Sequence, residues 1–240
     1  EDGKNTTTLT NIWNWLGAAG FTRSDLIVGI GGGAITDLAG FAAATWLRGL
    51  DWVAVPTSLA GMVDASVGGK TGINSEYGKN LIGAFHSPIA VLIDTNFLST
   101  LSDRDISAGM AEVIKCGFIS DPTILDLASS HSVDSLRKNP AVISELIQRA
   151  VTVKAQVVSA DFKESFEREA LNYGHTLGHA IEIHAKYQLR HGEAVSIGLV
   201  YAAELASGRG LITKTELDLH RSILLSYGLP ITFDRAAWQK

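Results

Sequence analysis

Cysteine is almost absent from this sequence. Cys116 is the single cysteine among 240 residues, so the chain cannot build an internal disulfide framework. A disulfide-stapled extracellular fold is therefore excluded, and a reducing compartment is favoured. The polar start of the chain also lacks the apolar segment of a signal peptide. We predict a cytoplasmic protein.

Long apolar runs and an excess of basic residues are missing as well. No stretch reaches the roughly 18 consecutive apolar residues that a membrane-spanning helix needs, so no membrane partner is predicted. The 20 basic and 25 acidic residues give a net charge of −5, so no global field attracts nucleic acid. The 46% of apolar residues is instead typical of a globular protein with a sizeable core.

The first part of the chain alternates short apolar strands with helices. Residues 25–30 form an apolar strand that runs into the glycines at 31–33, and an apolar helix follows over residues 34–47. This order exposes backbone N–H groups at a helix N-terminus, where a phosphate can bind. Because the glycines do not follow the G-x-G-x-x-G spacing, a tight turn without a ligand is an equal alternative.

Residues 52–56 and 90–94 predict further strands of a parallel sheet. Thr57 and Ser58 follow the first of these strands, at the carboxyl end where ligands of such sheets gather. The intervening residues 63–83 are rich in glycine and polar residues, which predicts a loop that approaches an anionic ligand. Its candidate contacts are Asp64, Lys70, Lys79 and Asn80.

The second part of the chain carries helical patterns and no obvious strand. Helices are predicted over residues 106–119, 123–129, 140–160, 165–186, 194–208 and 215–227. We therefore predict an incomplete Rossmann-like α/β domain over residues 1–100, followed by an all-α domain over residues 101–240.

The helix over residues 106–119 contains an acid and a base, Glu112 and Lys115, among small apolar residues. Such a pair normally lies on a solvated surface. This helix is too apolar for an exposed face, so we predict that Glu112 is buried. A buried carboxylate needs a partner or a metal ion.

Four of the seven histidines fall between positions 175 and 191, and three of them, His175, His179 and His191, are candidate ligands. In a helix His175 and His179 would lie one turn apart on one face, and His191 follows beyond a polar loop. With Glu112 they match zinc or another divalent ion with an open coordination position. The spacing leaves open whether His179 is a metal ligand or a substrate contact. Arg168, Asn172 and the lysines at 70, 79 and 115 favour a small, multiply anionic substrate.

Segments along the whole chain closely resemble the motifs of the 3-dehydroquinate synthase family. They are residues 31–41, 63–72, 78–84, 109–115, 171–179 and 191–195. The resemblance implies conversion of 3-deoxy-D-arabino-heptulosonate 7-phosphate to 3-dehydroquinate and phosphate in the shikimate pathway. In that reaction NAD transiently oxidises the C5 hydroxyl, phosphate is eliminated, the hydride is returned, and an intramolecular aldol step closes the ring.

The resemblance also implies a role for each site residue. Glu112, His175 and His191 would bind zinc or cobalt. The substrate contacts would be Asp64, Lys70, Lys115, Arg168, Asn172 and His179, with Arg48 reaching the phosphate in the neighbouring subunit of a homodimer. The NAD contacts would be Glu1, Lys4, Gly32, Gly33, Asp37, Thr57, Ser58, Lys70, Lys79, Asn80, Phe97, Leu98, Ser99 and Thr100.

The ends of the chain depart from the family pattern. The strands that precede position 1 in the family, and the Asp-Lys-Lys element beyond position 240, have no counterpart here. We therefore expect impaired activity from this chain alone. The alternatives are a sugar-phosphate cyclase of the 2-deoxy-scyllo-inosose or epi-valiolone type, a metal-dependent polyol dehydrogenase, and an inactive remnant.

Overall fold

The computed structural model describes residues 2–163 and 166–234 of the chain. The chain divides into two compact units, Glu1–Leu98 and Ser99–Lys240. Within the described ranges no helix has the length and apolar character required to cross a membrane. The predicted combination of an α/β part and an all-helical part is confirmed.

The first unit is built on a small parallel sheet. Its strands β1 (Leu26–Gly31), β2 (Asp51–Pro56) and β5 (Ala90–Val91) lie in that order, and β1 runs parallel to β2 along its full length. A separate antiparallel pair, β3 (Lys70–Ser75) and β4 (Gly78–Phe85), lies beside helix α2 (Gly33–Thr45), which packs through Leu38 and Phe41 against Leu9 and Ile73. Helix α1 spans Thr6–Ala18.

The prediction of a loop over residues 63–83 is wrong. The hairpin of β3 and β4 occupies most of this segment, with an irregular register between Ile73 and Ser75. Ile73 is fully buried in the apolar cluster under α2, which anchors the hairpin to the unit. Gly72 and Gly83 pair directly across the two strands. The density of glycine therefore reflects close strand approach and not a flexible loop.

The second unit consists of helices. Their bounds are α3 Asp103–Ile119, α4 Pro122–Ser129, α5 Val133–Lys138, α6 Pro140–Ala160, α7 His175–His184, α8 His191–Gly208 and α9 Lys214–Ser226. The predicted helix over 165–186 is wrong as one element, because a 3₁₀ helix, Glu167–Asn172, ends before Gly174. Gly174 has φ +78°, a left-handed conformation that glycine adopts without strain, and α7 begins after it.

Helix α8 begins at His191, three residues before the predicted start at position 194. The Glu193 carboxylate accepts the Arg190 backbone N–H at 2.9 Å, which caps the first turn of the helix. Arg104 of α3 binds the same carboxylate through two nitrogens, at 2.5 and 2.8 Å. This clamp ties the start of α8 to the start of α3.

Candidate metal centre and cofactor-binding turn

Three helices of the second unit converge because glycines allow their backbones to touch. A Cβ atom on Gly192 would overlap the carbonyl oxygen of Ala108 in α3. A Cβ atom on Gly198 would likewise overlap the carbonyl oxygen of Gly174, just before α7. Helix α8 therefore approaches both neighbours at a distance that no side chain would permit.

The convergence brings Glu112, His175 and His191 together. The Nε2 atoms of His175 and His191 lie 3.6 and 3.2 Å from the Glu112 Oε1 atom. One ligand atom from each residue can be chosen so that all three lie within 4.8 Å of one another. This spacing suits a shared cation, and the three residues are those that the family resemblance implied.

Glu112 is buried as predicted, with 1% of its surface exposed. The buried Lys115 lies on the same helix, and its Nζ atom is 2.5 Å from Glu112 Oε2. Among the described residues, however, neither carboxylate oxygen has a partner aligned for a hydrogen bond. A buried carboxylate with short contacts but poor hydrogen-bond angles fits the role of a metal ligand.

The charges around this carboxylate shift its pKa and that of His191. Burial raises the pKa of Glu112, but Lys115, His175 and His191 outweigh it and hold the pKa well below its usual range. Burial lowers the pKa of His191, but its close contacts with the Glu112 and Glu182 carboxylates raise it to about 10. Both shifts express a preference of the site for positive charge, which a divalent ion would satisfy.

The contact of the Nδ1 atom of His175 determines the tautomer of this imidazole. Its Nδ1 atom lies 3.2 Å from the carbonyl oxygen of Tyr173, which can only accept, so Nδ1–H donates there. The lone pair of Nε2 then faces Glu112, as metal binding requires. The Tyr173 hydroxyl in turn lies 2.9 Å from His220 Nε2.

His220 holds Tyr173 from α9. Its Nδ1 atom donates to the Glu216 carbonyl oxygen at 2.7 Å, so Nε2 accepts from the Tyr173 hydroxyl. The ring stacks on Phe118 with centroids 3.5 Å apart. Burial lowers the pKa of His220, against raising contributions from Glu216, so the folded protein keeps this imidazole neutral.

We expect His220→Gln to destabilise the protein by about 1–2 kcal/mol at pH 7.5, through the lost stacking and altered hydrogen bonds. Because the folded pKa is depressed, the neutral ring contributes stability above an unfolded pKa of about 6.5, and this contribution is lost as the pH falls toward the folded pKa. The difference between parent and variant should therefore narrow from pH 7.5 to pH 5. Urea unfolding at both pH values measures the free energy of unfolding of the parent and the variant. The control is His131→Gln, because His131 is partly exposed. A difference that does not change with pH contradicts this account.

Other residues predicted for the substrate site are placed differently within the second unit. His179 is exposed on α7, with its ring centroid 5.3 Å from that of His175. Arg168 is 2% exposed, and its guanidinium donates to the Phe162 carbonyl oxygen at 2.6 Å. Asn172 lines a cavity of about 920 Å³ that also contacts Tyr173. His179 therefore lies beside the candidate metal ligands.

The glycine turn of the first unit has the geometry of an anion site. Helix α2 begins at Gly33, and its N-cap residue, Gly32, has no side chain that could cap the first backbone N–H groups. A Cβ atom on Gly33 would lie 2.9 Å from the Cβ atom of Ala65, so only glycine fits there. The Thr57 backbone N–H donates to the Gly31 carbonyl oxygen at 2.8 Å, which ties the end of β2 to the turn. The turn therefore suits a pyrophosphate.

Lys4 joins several of the predicted NAD contacts. It is 4% exposed, and its Nζ atom lies 2.5 Å from Asp37 Oδ2 and 2.5 Å from Asn80 Oδ1. Asn80 has φ +57° on β4, a left-handed conformation that asparagine tolerates better than most residues. Glu1, which was predicted to accompany Lys4, lies outside the described residues.

The remaining predicted residues of the first unit lie on turns and strand ends. Asp64 belongs to the π-helical turn Gly61–Ala65, and the exposed Lys70 begins β3. Arg48 is exposed and has φ +70°, directly after Leu47 at φ +49°. Ser58 follows β2, Lys79 lies on β4, and Phe97 and Leu98 belong to the 3₁₀ helix Thr95–Thr100, whose residues Ser99 and Thr100 already count to the second unit.

Sequence reasoning missed Glu182. It lies three residues after His179 on α7, and its Oε2 atom is 3.1 Å from His191 Nδ1. The available signal was helical spacing, because residues three apart share a helix face. The Arg104–Glu193 clamp was missed as well, and no local pattern links residues so far apart in the sequence.

Comparisons with known proteins agree along the whole chain. Family models described as 3-dehydroquinate synthase N-terminal and C-terminal match residues 1–108 and 109–240. A 3-dehydroquinate synthase from Paenarthrobacter aurescens (strain TC1) is 57% identical over 239 residues, which cover 100% of this chain and 66% of that protein. This chain thus spans just under two thirds of the length of that curated relative.

Solved structures of related enzymes share the fold. A 2-epi-5-epi-valiolone synthase from Streptomyces hygroscopicus, with NAD+ and Zn2+ bound, is 32% identical with a TM-score of 0.92, covering 100% of this chain and 69% of its own. A 2-deoxy-scyllo-inosose synthase complexed with carbaglucose-6-phosphate, NAD+ and Co2+ is 30% identical with a TM-score of 0.84, covering 99% and 66%. With both family models matched in order, the chain belongs to the 3-dehydroquinate synthase family.

Proposed function

We propose that the protein is a 3-dehydroquinate synthase, an NAD- and metal-dependent lyase. It would convert 3-deoxy-D-arabino-heptulosonate 7-phosphate to 3-dehydroquinate and phosphate, in the shikimate pathway that leads to aromatic amino acids. The observation that carries the proposal is the meeting of His175 and His191 at the buried, poorly hydrogen-bonded carboxylate of Glu112. Curated relatives of this name at 57% and 58% identity support the choice of reaction.

Both cofactors are supported by residues and by relatives. Solved cyclases at 30–32% identity carry NAD+ together with Zn2+ or Co2+. When bound, NAD supplies an acceptor and donor of hydride, and the metal ion supplies a Lewis acid for substrate oxygens. Glu112, His175 and His191 would hold the metal ion, since two imidazoles and a carboxylate leave a coordination position open.

The NAD site is proposed to lie in the domain over residues 1–100. Gly32 and Gly33 would donate their backbone N–H groups to the pyrophosphate, because no side chain caps α2. The buried Lys4 would hold Asp37 and Asn80 in place beside this turn. The further contacts proposed are Glu1, Thr57, Ser58, Lys70, Lys79 and residues Phe97, Leu98, Ser99 and Thr100.

Substrate contacts are proposed in the domain over residues 101–240. His179 and Lys115 would orient substrate hydroxyls, since both lie beside the candidate metal ligands. The Lys115 ammonium group would hold a substrate oxygen by a charge-assisted hydrogen bond. The remaining contacts proposed from the family motifs are Asp64, Lys70, Arg168 and Asn172.

A cytoplasmic homodimer is proposed for the assembled enzyme. The support is Arg48, an exposed cation presented by a backbone in the left-handed region at two successive non-glycine residues. Such conformations cost about 1–3 kcal/mol each and persist where function requires them. Arg48 would reach the phosphate held by the neighbouring subunit.

Product analysis tests the proposed reaction. The purified protein is supplied with 3-deoxy-D-arabino-heptulosonate 7-phosphate, NAD, and Zn2+ or Co2+. It should release phosphate and 3-dehydroquinate in equal amounts, identified by NMR, without net formation of NADH. A cyclitol of the scyllo-inosose or valiolone type in place of dehydroquinate would contradict the proposal. Net reduction of NAD would favour a polyol dehydrogenase, and a protein that binds neither metal nor NAD would favour an inactive remnant.

A further inference from the structure

The ring of His191 lies between two buried carboxylates. Its Nε2 atom is 3.2 Å from Glu112 Oε1, and its Nδ1 atom is 3.1 Å from Glu182 Oε2. The two carboxylates come from different helices, α3 and α7, while the ring stands at the start of α8. Each nitrogen of one imidazole therefore faces its own carboxylate.

The two ring nitrogens of His191 must have different roles. A metal ligand must offer a lone pair, and a neutral imidazole has one on only one of its nitrogens. Glu182 as a carboxylate can only accept, so it favours a proton on Nδ1. The lone pair then belongs to Nε2, which faces Glu112 and His175.

The surroundings of Glu182 make it a rigid acceptor. The residue is 4% exposed and lies on the face of α7 that packs against α8. Close packing of Gly178 against Ala194 and Val195 fixes the distance between these helices, since a Cβ atom on Gly178 would lie 3.3 Å from the backbone of each. Burial of a carboxylate costs free energy unless it is paired, and His191 is its partner here.

We propose that Glu182 is a positioning residue of the metal centre. Its carboxylate accepts the Nδ1–H of His191 and fixes the ring so that Nε2 points at the metal ion shared with Glu112 and His175. The inference rests on the metal binding of the proposed function and adds to it a residue that binds neither metal nor substrate. His175 has the corresponding support from the Tyr173 carbonyl oxygen.

A different metal site could be built from some of the same residues. His179, Glu182 and His191 also offer ligand atoms within 4.8 Å of one another. In that arrangement Glu182 would bind a metal ion directly. The Nδ1 atom of His191 cannot donate a proton to Glu182 and bind a metal ion at once, so the two arrangements give different results.

Metal titration of near-isosteric variants separates them. Zn2+ and Co2+ dissociation constants are measured by chelator competition for the parent, Glu182→Gln and the control Glu193→Gln. Glu193 is also buried and starts α8 beside His191, but it binds Arg104 instead of an imidazole. We expect one metal ion per chain, an affinity about 10–100-fold weaker in Glu182→Gln, and a change of less than about threefold in the control.

The absorption spectrum of bound Co2+ and thermal unfolding of the metal-free proteins complete the test. A positioning role predicts an altered Co2+ spectrum at saturation, whereas a purely structural role would lower only the melting temperature. Unchanged affinity in Glu182→Gln overturns the proposal. So does binding of two metal ions per chain, or a loss in His179→Ala as large as in His175→Ala. A parent that binds one metal ion yet makes no dehydroquinate contradicts the proposed function alone, and one that binds no metal ion overturns both.

Discussion

Replacement of Glu112 with glutamine is expected to weaken Zn2+ binding by more than about a hundredfold, because loss of an outer partner alone costs 10–100-fold and this residue is a direct ligand. The glutamine amide keeps the size of the side chain but removes the charge that two imidazoles and Lys115 surround. The measurement is the Zn2+ dissociation constant by chelator competition. Activity with the heptulosonate phosphate should disappear together with the metal.

The control for this variant concerns Lys115. Its Nζ atom lies 2.5 Å from the Glu112 carboxylate, so Glu112→Gln leaves a buried ammonium group without its counter-ion. Breaking a buried ion pair in this way costs about 3–5 kcal/mol. The double variant Glu112→Gln, Lys115→Met should recover much of that stability and still bind no metal ion. Restored metal binding in the double variant would show that Glu112 is not a ligand.

Replacement of Gly198 with alanine is expected to lower stability by about 3 kcal/mol or more, since overpacking against a backbone cannot be relieved by a rotamer change. The new Cβ atom would overlap the carbonyl oxygen of Gly174, the residue that precedes His175. For a chain of this size the melting temperature should fall by roughly 6–12 °C. Because the start of α7 must move away from α8, metal affinity should fall as well.

A matched control lies on the same helix. Gly208 is the last residue of α8, and a Cβ atom there would meet no atom within 4 Å. Gly208→Ala should therefore leave stability unchanged or raise it by up to about 1 kcal/mol, from helix propensity. If Gly198→Ala is tolerated as well as Gly208→Ala, then close backbone packing does not position the site.

The elements that the sequence predicted well are those whose signal is local. The apolar pattern around Glu112 predicted both the helix and the burial of this carboxylate, and α3 confirms both. The spacing of His175 and His179 predicted one helical face, which α7 provides. The residue types of the metal set followed from the chemistry of imidazole and carboxylate, so the candidate site could be proposed without coordinates.

The features that were missed depend on contacts between distant residues. The segment over residues 63–83 has the composition of a loop. In the structure, however, Ile73 is buried in the apolar cluster under α2, and most of the segment pairs as a hairpin. At the break, the carbonyl oxygen of Gly174 lies against Gly198 of another helix. Glu182 looks like an ordinary helix-surface acid until α8 brings His191 to it. Such pairings become visible only once the helices are packed.

The most direct test of the metal centre is a crystal structure of the protein grown with Zn2+, with anomalous data collected on both sides of the zinc absorption edge. We predict one anomalous peak per chain, bonded to a Glu112 carboxylate oxygen and to the Nε2 atoms of His175 and His191. A peak held instead by His179 and Glu182, or no peak at Glu112 in a zinc-saturated crystal, would contradict the account.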